Sequence, residues 1–234
     1  MIVRCTPEDT RHLPHWQAMR ITAHMSEPVV TIGDGVHIDG QLSWAAWQRA
    51  QRRSSQANPI PPMTDKEAVD FQLPLATWRH GEHWGWCASA AQWPEQTLVS
   101  GDHVRRKPPH EQYIRLTKAV SYDIGVGPAK AVNKPIQTRF ARQIVWYALG
   151  LPGEVEELLR DVTHIGKLAG HGHGYVLHWS VDLHAEDWSL VRNGRLMRRM
   201  PGGFNGLRAT HNGAIRAPYW HRSRYCQAVG PDAD

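Results

Sequence analysis

The 234-residue sequence has no apolar run approaching the ~18 to 20 residues that a membrane span requires. Its opening segment, MIVRCTPEDTRHLPHW, has no apolar stretch of the kind a signal peptide carries. A soluble, cytoplasmic protein is expected. Cysteine is scarce. Cys5, Cys87 and Cys226 are odd in number and remote in spacing, which argues against a disulfide framework and fits a reducing compartment. CxxC pairs and HExxH helices are missing too. His80-x-x-His83-x-x-x-Cys87 and His171-x-His173 have ligand-like spacing but lack those companions, so no metal and no cofactor are expected.

Histidine, tryptophan and positive charge are abundant instead. Fifteen His accompany a formal charge of +5, and 41% hydrophobic content is enough for a real core in a chain of one-domain length. Eleven Trp can fill that core or offer faces on which bases stack, and position must decide between the two.

Residues 1–19 lack periodicity and read as a tail. Arg20 to Ser26 alternates as a strand and continues toward Val29, Val30 and Ile32. After Gly33-Asp34-Gly35, the spacing of Leu42, Ala45 and Ala46 predicts a helix over 41–51, with Asp39 as its N-cap. Residues 52–64 form a Pro-rich linker, and His83 to Ala90 is strand-like. Periodicity then fades over 91–138, and so long a connection in a compact domain is usually a functional insertion. Ile144 to Leu149 suits a buried strand. Val155, Leu158, Leu159, Val162 and Ile165 mark a helical stripe that Gly166 can close. Tyr175 to His184 alternates again, with Tyr175, Leu177, Trp179, Val181 and Leu183 expected to face inward. This order is α+β, that of a split βαβ, ferredoxin-like domain of the RRM type over 20–184, and residues 185–234 add a basic C-terminal extension. Many functions use that fold.

The strongest local signal lies at 166–174, GKLAGHGHG. Its glycines let backbone amides approach an anion, and Lys167 adds charge, so a phosphate chain is the natural ligand. A flexible turn without a ligand is the alternative. Residues 101–142 carry nine Lys or Arg against three acids, and 186–224 carry eight Arg against two, so each segment is +6. With Tyr113, Tyr122, Tyr219, Trp220 and Tyr225 interleaved, they suit phosphate contact plus base stacking. A solvated basic surface is the plainer alternative.

The helix at His37-Ile38-Asp39-Gly40-Gln41-Leu42, the segment Gly125 to Lys130, the strand 144–150 and the glycine loop running into Gly174-Tyr175-Val176-x-x-Trp179 together resemble the RAMP superfamily of CRISPR-associated proteins. Within it the chain is most similar to the third Csf family of type IV systems, in the Cas-five group. The resemblance implies a non-catalytic, guide-RNA-binding subunit of an effector complex in antiviral or anti-plasmid defence. Such a subunit holds the five-prime handle of the crRNA and caps a filament of Cas-seven-like backbone subunits beside the large subunit, near target DNA. The insertion 91–138 would be a thumb over the RNA. The expected RNA-binding residues are Arg105, Arg106, Lys107, Lys130, Lys134 and Arg139, then Lys167, Gly170, His171, Gly172, His173 and Gly174 in the loop, then Tyr219 and Trp220. Two other readings stand beside this one. The loop is poorer in Lys, Arg and Ser than the family pattern, leaving room for a metal-independent endoribonuclease that uses His171 or His173. A small-molecule phosphate binder using only the glycine loop is the third.

If His171 and His173 meet RNA phosphates, binding tightens as pH falls toward ~6.5, where imidazoles become charged. Affinity for a repeat-derived handle RNA, measured at pH 8 and pH 6, checks this; equal affinities remove both residues from the site.

Overall fold

A computed structural model describes residues 2–3, 6–31, 35–54, 68–106 and 131–231. Along the chain come β1 (Ile2–Val3), β2 (Gln17–Met25), β3 (Val29–Val30), helix α1 (Ile38–Arg53), β4 (Asp70–Phe71), β5 (Thr77–His80), β6 (His83–Trp86) and β7 (Leu98–Arg106). There follow β8 (Val132–Phe140), β9 (Gln143–Gly150), α2 (Pro152–Leu159) and β10 (Val176–Leu183). The remaining strands are short: β11 (Val191–Arg192), β12 (Arg195–Leu196), β13 (Met200–Pro201), β14 (His211–Ala214) and β15 (Tyr225–Val229).

The alternation read at 20–26 builds the middle of the main sheet. Its order is β10-β2-β9, all antiparallel. Met19, Ile21, Ala23 and Met25 of β2 point to one side with Ile144, Trp146 and Ala148 of β9, and all seven are buried. Helices α1 and α2 close that side with Ile38, Leu42, Ala45, Val155 and Leu159. β2 begins at Gln17, so the last residues of the segment read as a tail lie in the central strand. Beyond β9 the sheet continues as single bridges, Leu75 to Gly150, Ala88 to Ala148 and Gln92 to Val145. At Gly150 a Cβ would sit 2.2 Å from the Pro74 carbonyl oxygen, so only glycine lets these backbones meet.

β10 departs from the expected phase. A register shift between Val176 and His178 buries Val176 and leaves Leu177 60% exposed, while Trp179 and Val181 keep their inward places. The bulge reverses the alternation on its N-terminal side. The described ends of the insertion pair with each other: β7 and β8 form a nine-rung antiparallel hairpin from Leu98–Phe140 to Arg106–Val132, anchored by β3 pairing with β8. The linker 52–64 lies largely outside the described residues.

A second core lies on the opposite side of the sheet. Ala76, Trp78, Cys87, Leu149, Leu190, Leu196, Met200, Phe204 and Ile215 pack there, with the β13-β15-β14 sheet as a lid. Tryptophan is largely core material: Trp78, Trp84, Trp86 and Trp146 are buried, and the Trp146 indole donates to the Val36 carbonyl at 2.8 Å.

The two cores are joined by a buried ion pair. Arg198 and Asp39 are fully buried and 3.3 Å apart. Arg198 Nη1 also donates to the carbonyls of Trp86 (2.6 Å) and Ala88 (2.7 Å), and Nη2 to the Ile215 carbonyl (2.7 Å) and the Tyr219 hydroxyl (2.8 Å). Tyr219 donates in turn to Asp39, at 2.7 and 2.9 Å from its two oxygens. Asp39 is therefore not the N-cap of α1. The helix starts at Ile38 with His37 in the cap position, and the Asp39 carboxylate turns inward to Arg198.

Removing one partner of a buried pair strands the other charge, at a cost of about 3 to 5 kcal/mol. Asp39→Ala is expected to lower the urea midpoint by that equivalent, and Asp39→Ala with Arg198→Met together by clearly less than the sum of the singles. Equilibrium denaturation of the four proteins checks this.

Candidate nucleic-acid interface

The first turn of α1, the end of β3, the start of the glycine loop and the chain from 199 to 225 enclose a cavity of about 450 Å³. Its floor is set by the buried network. Tyr219, held by Asp39 and Arg198, stacks flat on the His37 ring with centroids 4.3 Å apart and planes 14° from parallel. Gly40 faces the other edge of Tyr219, where a Cβ would touch the ring at 3.4 Å. Trp220 and Tyr225, 53% and 46% exposed, also line the cavity. Lys167 and Arg199 supply positive charge, and among the described residues no carboxylate lines the space. Arg199 donates to the Ala214 carbonyl at 3.0 Å and lies across Gly213, whose Cβ would be 2.6 Å from the guanidinium carbon. Glycine at 213 thus makes room for that cation.

The cavity gathers Lys167, Tyr219 and Trp220 from the residues singled out in the sequence, although 52 positions of chain separate the loop from the aromatic pair. Arg199 and Tyr225 join them without having been named as ligand contacts. Their only sequence signal was membership of the basic, aromatic C-terminal run. His37 was legible as a residue beside a helix start; its stack on Tyr219, across 182 positions, was not.

The rest of the glycine loop is built differently from the expected anion cradle. Residues Ala169–His171 form a single 3-10 turn. The Lys167 amide donates to the Val30 carbonyl, those of His171 and His173 to the Leu168 carbonyl, that of Gly172 to Ala169 and that of Gly174 to Pro28. These five amides are committed inside the protein. Gly174, at φ 72°, permits its own carbonyl to meet the Ile165 amide at 2.9 Å, where a Cβ would lie 2.0 Å from the Ile165 oxygen. Gly170, His171 and Gly172 are exposed and His173 is half-buried, and none of the four lines the cavity.

Arg105, Lys134 and Arg139 lie along the β7–β8 hairpin, paired with Asn133, Val104 and Val99 respectively. Arg105 and Lys134 are exposed, and the Arg139 guanidinium sits over the Trp93 ring at 5.8 Å. Arg106 ends β7, while Lys107 and Lys130 lie outside the described residues. Among the described residues no three His, Cys, Asp or Glu side chains gather as a metal-holding group, the His80, His83 and Cys87 set included. Burial also pushes the Cys87 thiol well above its ordinary pKa.

Burial, reinforced by the Arg198 charge, drives the His37 pKa down from 6.5 to about 4. His37 is therefore a neutral stacking ring at pH 7. Because the unfolded chain binds this proton near pH 6.5 and the folded chain only near 4, folding stability falls as pH drops through that window. The loss approaches about 3 kcal/mol at its lower end. Replacing His37 with Phe keeps a ring on Tyr219 and removes the proton. Thermal melts between pH 7 and 4 are expected to show a shallower decline for His37→Phe than for the parent chain.

Among curated proteins none matches the chain. Residues 102–231, a stretch that runs from the hairpin through the glycine loop to Tyr225, match the family model of CRISPR type IV associated protein Csf3. That stretch is more than half of the chain and contains Lys167, Arg199, Tyr219, Trp220 and Tyr225 together, so the chain, a mixed α+β RAMP-type protein, belongs to the Csf3 family.

Proposed function

We propose that the chain is a non-catalytic RNA-binding subunit of a type IV CRISPR effector complex, with the cavity beside α1 as its anchor for the five-prime handle of the crRNA. The observation that carries this reading is the meeting of Lys167 and Arg199 with the exposed rings of Trp220 and Tyr225 in one space that, among the described residues, no carboxylate lines. Cations there serve a phosphate, and an indole face serves any unpaired base, at about 1 to 3 kcal/mol per stacked base. Membership of a type IV CRISPR-associated family supports a multi-subunit setting; in this reading the partners are Cas-seven-like backbone subunits and a large subunit, with target DNA nearby.

The strand order β10-β2-β9, extended by the bridges at Leu75, Ala88 and Gln92, supports a ferredoxin-like domain of the split βαβ kind, whose fourth place is filled by irregular chain. The hairpin β7–β8 fits the thumb of such a protein. Its exposed Arg105 and Lys134 are suited to follow an RNA backbone away from the cavity. Among the described residues no helix is long and apolar enough to cross a membrane, which suits a cytoplasmic complex.

The endoribonuclease reading retains one supporting feature, the exposed His171 on the turn just beyond Lys167. Both readings are tested together. Handle RNA is expected to bind with a log–log salt slope of about −0.7 for each phosphate neutralised. Lys167→Ala with Trp220→Ala should weaken binding by at least about tenfold with little change in melting temperature. Precursor repeat RNA incubated in EDTA should remain intact. A discrete product that disappears in His171→Ala replaces the binding reading with the catalytic one.

A further inference from the structure

The side of the main sheet not covered by α1 and α2 is only partly closed by the second core. Toward the hairpin it opens as a separate groove of about 720 Å³. We propose that this groove is a second binding site, for a short unpaired stretch of nucleic acid held by its phosphates and base faces, distinct from the cavity beside α1.

The floor follows from strand register. Alternate residues of β9 on this side, Gln143, Val145 and Tyr147, stand opposite His24, Thr22 and Arg20 of β2. From Gln143 to Tyr147 the strand rises roughly 13 Å, room for about two extended nucleotides. Trp93 and Phe140 form the wall at the foot of the hairpin, and Arg20 and Arg142 are exposed at the floor and rim.

Three observations favour a polyanion with planar groups over a protein surface. The twelve lining residues, all among those described, include two arginines, three glutamines (Gln92, Gln96, Gln143) and no carboxylate; Glu95, between two of them, is not part of the lining. Asp182, across from Arg20 on β10, is the acid that the sheet itself places next to it. The Trp93 indole N–H is enclosed without a hydrogen-bond partner, as is Nε of Arg139, whose guanidinium lies over that same ring. Finally, planar side chains continue along the face. His24 stacks on His178 at 3.8 Å, and Trp188 packs against Tyr147 and His184 with Arg192 over its ring at 4.0 Å. Sheet faces bearing rings and cations bind single strands by stacking, and glutamine amides suit base edges. Because base faces rather than the sugar are engaged, the site accepts oligouridylate and oligothymidylate alike.

The test uses the full chain carrying Lys167→Ala and Trp220→Ala, so that the cavity no longer contributes. Fluorescence anisotropy with an oligouridylate and an oligothymidylate is expected to show residual binding by both. Adding Arg20→Ala and Arg142→Ala should weaken it by roughly tenfold and make the log–log salt slope shallower by about 1.4, the share of two phosphates. Ultraviolet crosslinking of a 5-iodouracil-substituted strand, mapped by mass spectrometry, should place the adduct at Trp93 or Phe140. Loss of all binding in the Lys167→Ala, Trp220→Ala background overturns the groove while leaving the cavity reading intact. Residual binding that ignores Arg20 and Arg142, or adducts confined to other surfaces, also overturns it and leaves the groove as a protein contact. Handle-RNA affinity unchanged by Lys167→Ala and Trp220→Ala, with groove crosslinks retained, would remove the cavity reading alone.

Discussion

The buried pair Asp39–Arg198 is the constraint from which the working surfaces follow. A guanidinium taken fully out of water costs several kcal/mol unless nearly every donor is matched. Arg198 meets one carboxylate oxygen, three backbone carbonyls and a phenol oxygen, drawn from α1, the strand region at 86–88 and the C-terminal chain at 215–219. Burial alone would lower its pKa; Asp39 and Tyr219 hold it above the ordinary value, so the charge is permanent. The permanent charge fixes Tyr219. Burial raises the Tyr219 pKa well above 10, which keeps the hydroxyl protonated and able to donate to Asp39. Tyr219 positions the neutral His37 ring, and between them they set the floor of the cavity. Charge satisfaction in the interior thus decides where an aromatic surface faces solvent.

The same accounting changes the meaning of the protein's positive charge. Eight arginines between 186 and 224 suggest a basic extension, but Arg198 is spent in the core, and Arg216 and Arg224 both close on Asp70, at 3.5 and 2.9 Å. Arg216 also lies 4.3 Å over the Trp84 ring. These residues fasten the C-terminal chain to the domain rather than presenting charge to a ligand. The acids that neutralise them stand at 39 and 70, far outside the segment whose charge was counted. Arg49 shows the same economy on the helical side, joined to Asp161 at 2.5 Å and Glu157 at 2.9 Å, so that α1 and the end of α2 are tied at their solvent edge.

How much was legible follows from the range of each interaction. The strands at 20–26 and 175–184 announce themselves because burial of one face imposes a local period, and 144–149 because it is apolar on both sides. The bulge at Val176 does not, since nothing in the composition marks where a register slips. The stripe ending at Ile165 reads as one long helix, yet α2 stops at Leu159, and Val162 and Ile165 reach the core from irregular chain. Residues 98–106 and 132–140 lack an apolar period because both faces of their hairpin are largely solvated. Their pairing comes from backbone hydrogen bonds, to which side-chain pattern is blind. In the site, Lys167, Tyr219 and Trp220 could be named from residue type, and the family resemblance pointed to the same stretch. Their convergence depends on a tertiary ion pair 159 positions apart, and no window along the sequence contains it. The glycines of the loop stand out in the sequence as letting backbone amides approach an anion, but Gly166 and Gly174 use their freedom to pack against β3 and Ile165.

The hairpin links the two candidate surfaces. β3 ends at the cavity, where Val30 bridges to Lys167, and β8 pairs with β3 through Val30–Thr138 and Val29–Arg139. One rung further, Phe140 and Leu98 close the foot of the hairpin and form the wall of the groove. A continuous hydrogen-bonded ladder therefore runs from Lys167 through Val30, Thr138 and Ser100 to that wall, and the Thr138 hydroxyl adds a bond to the Ser100 carbonyl at 3.2 Å. Lys167 and the base of the hairpin thus belong to one hydrogen-bonded unit in which β3 is shared. The residues whose charge suits a nucleic acid, Lys167 at one end of the ladder and Arg105 and Lys134 along the arm, are in this way mechanically joined without touching one another.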